Sequence, residues 1–223
     1  MRKGGSALET ALSFTRMQAE IAGFNAVILA SVFNPSVFRE TWLVERDILA
    51  AADILPGFLF SEQAVHVPTA RYTLTVIPQQ LQFAPAARDV AREIVPAVVG
   101  QIVRGLPHTP LTAVGLNFIW RIDPEGDALP ALTRRLFLPA QFPLAADFTA
   151  EDARFGVYCS KNVHECRLRL DIKPAVDGKI QLGFNFNRDV ASGGPSDAIC
   201  AVLDRWTEFD AFAEELVTRL AAA

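Results

Sequence analysis

The sequence is poor in the features that mark the commoner functional classes. Three cysteines in 223 residues are too few for a disulfide-stapled scaffold, and their odd number points to free thiols and a reducing, cytoplasmic setting. No apolar run reaches the roughly 18 residues of a membrane span. The basic start, Met1-Arg2-Lys3, is not followed by the apolar stretch of a secretory signal, so no membrane association is expected. Cations are outnumbered, 21 Lys and Arg against 25 Asp and Glu, and a net charge of −4 gives no electrostatic footprint for nucleic acid. The serine-hydrolase elbow, the phosphate loop, the dinucleotide-binding glycines and the helical zinc-protease motif are absent. Gly193-Gly194 lacks the lysine of a phosphate loop and reads as a hinge before a helix cap. No Gly/Ser-rich linker divides the chain.

What is present is alternation. From Ala113 to Ile122, the residues Val114, Leu116, Phe118, Trp120 and Ile122 share one parity, opposite Ala113, Gly115, Asn117, Ile119 and Arg121. Apolar residues at every second position predict a long strand with one apolar face, the centre of a sheet. The small and polar Gly115 and Asn117 let something approach its other face closely.

Other elements fall around this strand. A capping box, Ser6 with Glu9, and the spacing of Leu8, Leu12, Met17 and Ile21 predict a helix over 6–22, so residues 1–22 are read as an amino-terminal helical arm on a single domain of residues 23–223. The apolar run Phe24 to Phe33 predicts a buried strand, ended by Asn34-Pro35-Ser36. A helix over 36–46 with Val37, Phe38, Trp42 and Leu43 inward is expected next, and a shorter one over 47–54. Residues 58–84 read as a meander turning at Pro78-Gln79, and residues 86–104 as a helix kinked at Pro96. Leu129, Leu132, Leu136 and Leu138 fit a short helix or an edge strand equally, with loop after Pro139. Three antiparallel strands follow, turning at Lys161-Asn162 and Asp177-Gly178, and then a long helix with Ile199, Leu203, Trp206, Phe209, Phe212, Leu216 and Leu220 inward. The fold class is α+β: a mostly antiparallel sheet with helices mainly on one face. The two halves run through loosely similar element orders.

Two constellations carry chemistry. A turn at Lys161-Asn162 places Cys159 opposite His164 and Val157 opposite Cys166, gathering a thiolate–imidazole–thiolate set suited to zinc. The same parity continues as Leu168, Leu170 and Ile172, and no fourth ligand is evident, so buried core cysteines are the competing and favoured reading. The second set is polar: His108 in Leu106-Pro107-His108-Thr109-Pro110, Asn117 and Arg121 on the central strand, and Asn185, Asn187 and Arg188 near the end of the last one. If those strands are neighbours, amides and guanidinium groups converge on an anionic or polar ligand; an ordinary solvated sheet face, with His108 bonded to loop backbone, is the competing and favoured reading. No nucleophile is tied to them by spacing.

Phe33-Asn34-Pro35 with Phe38 and Trp42, and Leu106-Pro107-His108-Thr109-Pro110 leading into Ala113-Val114-Gly115-Leu116-Asn117, resemble segments of an uncharacterised group of bacterial proteins of similar length. The resemblance implies a shared fold and no activity. The expectation is a non-enzymatic interaction or assembly protein, self-associating or joined to a protein partner, with a small-molecule binding or catalytic domain as the alternative. The apolar fraction, 51%, is high for an acidic chain and favours association.

Overall fold

A computed structural model describes residues 17–124, 128–139, 141–149, 152–191 and 196–222. Its centre is a pair of long antiparallel strands, β1 (Gln18–Ala30) and β6 (Leu111–Asp123). To one side lie β5 (Gln80–Pro85), β4 (Tyr72–Ile77), β3 (Val65–Pro68) and the two-residue β2 (Leu59–Phe60). To the other lie β9 (Ile180–Asp189), β8 (Cys166–Pro174) and β7 (Val157–Val163). The nine-stranded order is β2-β3-β4-β5-β1-β6-β9-β8-β7, antiparallel throughout. Read outward from the β1–β6 seam, each half repeats one plan: long strand, then the last, middle and first strands of a meander. The α+β architecture holds.

Alternation in β6 does what the sequence predicts. Val114, Leu116, Phe118, Trp120 and Ile122 are buried, and on the flanking strand they meet Phe186, Phe184 and Leu182. Two helices, α5 (Ser196–Asp204) and α6 (Trp206–Ala221), cover this face. Trp206 packs its ring 4.8 Å from Phe118 and 6.3 Å from Phe24, bridging both long strands, and Phe209 lies 4.7 Å from Phe186. Leu81, Phe83, Leu74 and Val76 extend the same core under α2 (Arg88–Ile94) and α3 (Gly100–Arg104). Pro96 breaks these two helices apart through a π-helical turn over Val95–Val99, the expected kink.

Several expectations are corrected. Residues 6–16 of the amino-terminal helix lie outside the described residues, and from Gln18 onward the chain is strand rather than helical arm. Met17 and Ile21 are four apart, a spacing that fits a strand as well as a helix. A bulge between Ile21 and Gly23 hides the strand pattern further, because Ala22 is an extra residue and the core parity switches from Ile21 to Phe24. The helix over 36–46 splits into a single turn at Pro35–Val37 and α1 (Glu40–Glu45), with extended backbone at Arg39. Phe38 and Leu43 are both fully buried, yet five residues of continuous helix would set them about 140° apart. Asp47, with φ of 52°, ends α1, and only one turn forms at Ala51–Asp53 in place of the helix over 47–54. Leu129–Phe137 is helical (α4), so the edge-strand alternative falls.

The hairpin turn at Lys161-Asn162 is also corrected. β7 runs on to Val163, which pairs with Cys166, and the turn is His164-Glu165. His164 accepts the left-handed conformation, φ 52°, because its ring is held from outside the hairpin. Arg205 reaches Nδ1 at 2.6 Å, Glu208 lies 3.3 Å from Nε2, and the Phe209 ring stands edge-on at 5.5 Å.

Candidate functional site: the open face of the sheet

Helices bury one face of the sheet, and the opposite parity forms the other. Register traces a single row across all nine strands: Leu59, His66, Thr75, Gln82, Val27, Gly115, Asn187, Arg167 and Asn162. At about 4.8 Å per strand the row spans about 38 Å. Beside it Asn25, Asn117, Asn185, Arg169 and Ser160 form a second row, and Gly23, Ile119, Gly183, Asp171 and Tyr158 a third.

The centre of this face is built from amides and bare backbone. Asn117 donates through Nδ2 to Asn25 Oδ1 at 2.8 Å, and Asn185 donates to Asn117 Oδ1 at 2.7 Å. Three half-buried amides on three adjacent strands thus form one directed chain. Gly115 lies beneath them: a Cβ there would sit 3.6 Å from Asn185 Nδ2 and 3.8 Å from Asn187 Oδ1. Asn187 is turned away by its own bond to Asp189, 2.9 Å. Ile119 stands between its cross-strand partners Gly23 and Gly183 and keeps 37% of its surface exposed, as does Leu29 further along β1.

The predicted polar set is brought together only in part. Asn117, Asn185 and Asn187 cluster as described. Arg121 shares their face but lies four residues along β6, about 13 Å away, where it pairs with Asp177 at 2.9 Å. Arg188 is opposite Val114 and points to the helix side, donating to the Ala198 carbonyl at 3.3 Å and lying 3.5 Å from Glu165. His108 is exposed on the loop before β6, and the strand from Leu111 to Asn117 separates it from the amides by about 20 Å.

Cys159, His164 and Cys166 are not brought together. Cys159 faces Leu170, four residues from the Val163–Cys166 pair, about 13 Å along the strand. Cys159 is exposed and Cys166 buried, and burial pushes the Cys166 thiol up to about 11, away from the thiolate that a metal requires. Among the described residues no group of three or more His, Cys, Asp or Glu is placed to hold a metal ion.

Residues that sequence reading missed complete the face. Asn25 was hidden by the bulge that reverses β1 parity, although a lone amide inside an apolar run was a usable signal. His66 donates or accepts at Thr75 Oγ1, 3.1 Å, and needs the β3–β4 register to be placed. Arg167 and Arg169 stand beside Asn187 and Asn185. Two clefts border the sheet rather than occupy this centre. One of about 470 Å³ lies among Phe38, Arg39, Glu40, Phe60, Ser61 and Glu62, and one of about 430 Å³ among Arg121, Lys173, Val176 and Asp177. No described helix is long and apolar enough to cross a membrane.

Searches against protein-family models, curated proteins and solved structures find no match to the chain.

Proposed function

We propose that this is a non-enzymatic interaction protein whose open sheet face docks on a protein surface, either a second copy of the chain or a partner in an assembly. One observation carries the reading: among the described residues no helix layer covers a sheet face about 38 Å wide, and its centre is amide, glycine and isolated aliphatic rather than charged. Charge depletion at the centre with polar residues around it is the composition of a docking surface. Sheets of this width ordinarily bury both faces or solvate one with charged side chains. Membership of the uncharacterised bacterial group belongs to the same proposal and adds no activity.

Hydroxyl-radical footprinting tests it. Leu29 and Ile119 are expected to lose reactivity in extract of the source cells relative to the purified chain, while the exposed loop residue Val176 stays equally reactive. Equal labelling of all three in both settings overturns the reading. Solution mass then separates the two partners: a defined oligomer that dissociates on Ile119→Arg identifies a second copy. Truncation tests must stop at Arg16, because residues from Gln18 belong to β1.

The small-ligand alternative draws on the Asn25–Asn117–Asn185 chain, whose terminal amide groups have hydrogen-bonding capacity to spare over the bare backbone of Gly115. It lacks the concave enclosure such sites use, since both clefts described lie away from the amides.

A further inference from the structure

The two outer edges of the sheet are finished differently. At the β3 edge, β2 pairs with Val65 and His66, Leu55 donates its N–H to the Pro68 carbonyl at 2.9 Å, and Ile54 bridges Thr69. The outward main-chain groups of β3 are thereby used, and Pro68 itself offers no N–H. β7 is the other terminal strand, seven residues long. Among the described residues no main-chain hydrogen bond reaches it from beyond β8. An uncovered strand of this length is a template for another strand.

Charge defines what fits there. The hairpin from Val157 to Pro174 carries Lys161, Arg167, Arg169 and Lys173 against Glu165 and Asp171, in a chain of net charge −4. Its carboxylates are already engaged: Asp171 with Lys173 at 2.6 Å, Glu165 with Arg188 at 3.5 Å and Arg205 at 3.7 Å. Among the described residues three cations of this hairpin have no carboxylate partner. Lys161 sits 5.0 Å over the Phe212 ring, Arg167 donates only to the Asn162 amide at 3.2 Å, and Arg169 is exposed. Ser160, opposite Arg169 and the smallest side chain on β7, leaves room for that guanidinium to reach the edge, and Tyr158 on the same face is 64% exposed.

From this pairing of a free strand edge with unneutralised cations, we infer that β7 binds an extended acidic segment of another protein, which adds a tenth strand to the sheet. Main-chain hydrogen bonds supply the alignment, and carboxylates at alternate positions pair with Arg167 and Arg169 on the open face. A second copy of this chain is the wrong occupant, because two β7 edges side by side bring like cations together.

The inference rests on the reading of this molecule as a docking protein but uses a different surface. Failure at β7 leaves the footprint of Leu29 and Ile119 untouched, and the reverse also holds. The probe is a fluorescent eight-residue peptide alternating Glu and Val, added to the whole chain and followed by anisotropy. Saturable binding is expected, weakened at least tenfold in the Arg167→Glu/Arg169→Glu variant. A peptide N-methylated at alternate residues is expected not to bind. A Lys/Val peptide is expected to bind the double variant and not the parent chain, which shows that the variant remains folded. Absence of saturable binding overturns the inference, as does equal binding of the N-methylated peptide, which makes the cations a plain anion patch. Equal affinity for the parent chain and the double variant overturns it too.

Discussion

The half-sheet β3-β4-β5-β1 presents Thr73, Thr75, Gln80, Gln82 and His66 on its open face, whereas β6-β9-β8-β7 presents Asn117, Asn185, Asn187, Arg167, Arg169 and Asp171. The first carries one carboxylate, Glu20 opposite Arg121 at the start of β1, and is closed at its rim by β2 and Leu55, while the second carries several charges and ends on β7, uncovered among the described residues. Below the sheet the contrast reverses. The first half lies under a helix pair interrupted at Pro96, the second under the long α6. One plan used twice is therefore finished in two ways: one half has its rim covered, and the other ends on a longer edge strand and carries more charged side chains on its open face. The comparison teaches that topology alone does not locate function, since both halves share it. Edge closure and charge separate them.

The contrast can be broken most strongly at the seam. Trp206 is 1% exposed and contacts both long strands, so Trp206→Ala removes the packing common to the two halves. A loss of about 3–5 kcal/mol is expected in chemical denaturation, with both halves losing amide protection together. A loss confined to one half would show that the halves are independent folding units.

Gly156→Ala acts on one half only. Its Cβ would lie 2.5 Å from the Ile172 carbonyl oxygen, a clash with backbone at the start of β7. About 1–3 kcal/mol is expected, read by hydrogen exchange as faster exchange in β7 with β4 and β5 unchanged. Tyr72→Phe probes the other half. The hydroxyl donates to the Ile48 carbonyl at 2.9 Å, and removing it leaves a buried acceptor, at a cost of about 1 kcal/mol. Burial first, then the Asp53 charge, pushes Tyr72 from its ordinary 10.0 up to about 12. A raised folded value means that this contribution is complete below pH 10 and is lost as pH rises toward 12. Alkaline destabilisation over that window is expected in the parent chain and reduced in the variant. Gly115→Ala is the mildest test. Its nearest neighbours are at 3.6 Å or more, so a change within about 0.5 kcal/mol is expected in the same denaturation assay. A large loss would show the amide row to be tighter than its geometry.

Much of this was legible in the sequence, because period-two patterning survives wherever one face is buried. β6 and β9 followed from strict alternation, and the Pro96 kink followed from a missing N–H and a ring clash. What failed did so for non-local reasons. The bulge at Ala22 shifted parity inside β1, and contacts from Arg205 and Glu208 pulled the hairpin turn two residues past the Asn that signals it. The candidate site was half readable. Asn117, Asn185 and Asn187 were found from face parity, and the same parity already sets Arg188 with Phe184 and Phe186 on the helix side, but Asn25 and the distance to His108 depended on register. The open edge at β7 lies beyond sequence patterning, which says nothing about which strand is last.

Two long strands, each apolar on one side, have a sliding ambiguity, since moving one past the other by two residues keeps every core side chain facing the core. The directed amide chain removes it. A two-residue slide would set Asn117 against Gly23 or Val27 in place of Asn25, and the donor–acceptor sequence would stop there. The asparagines therefore act as an index mark that permits one alignment of the halves, and they hold β9 to the same mark through Asn185. Whatever surface the molecule presents is in consequence repeatable from copy to copy, a precondition for recognising anything with it.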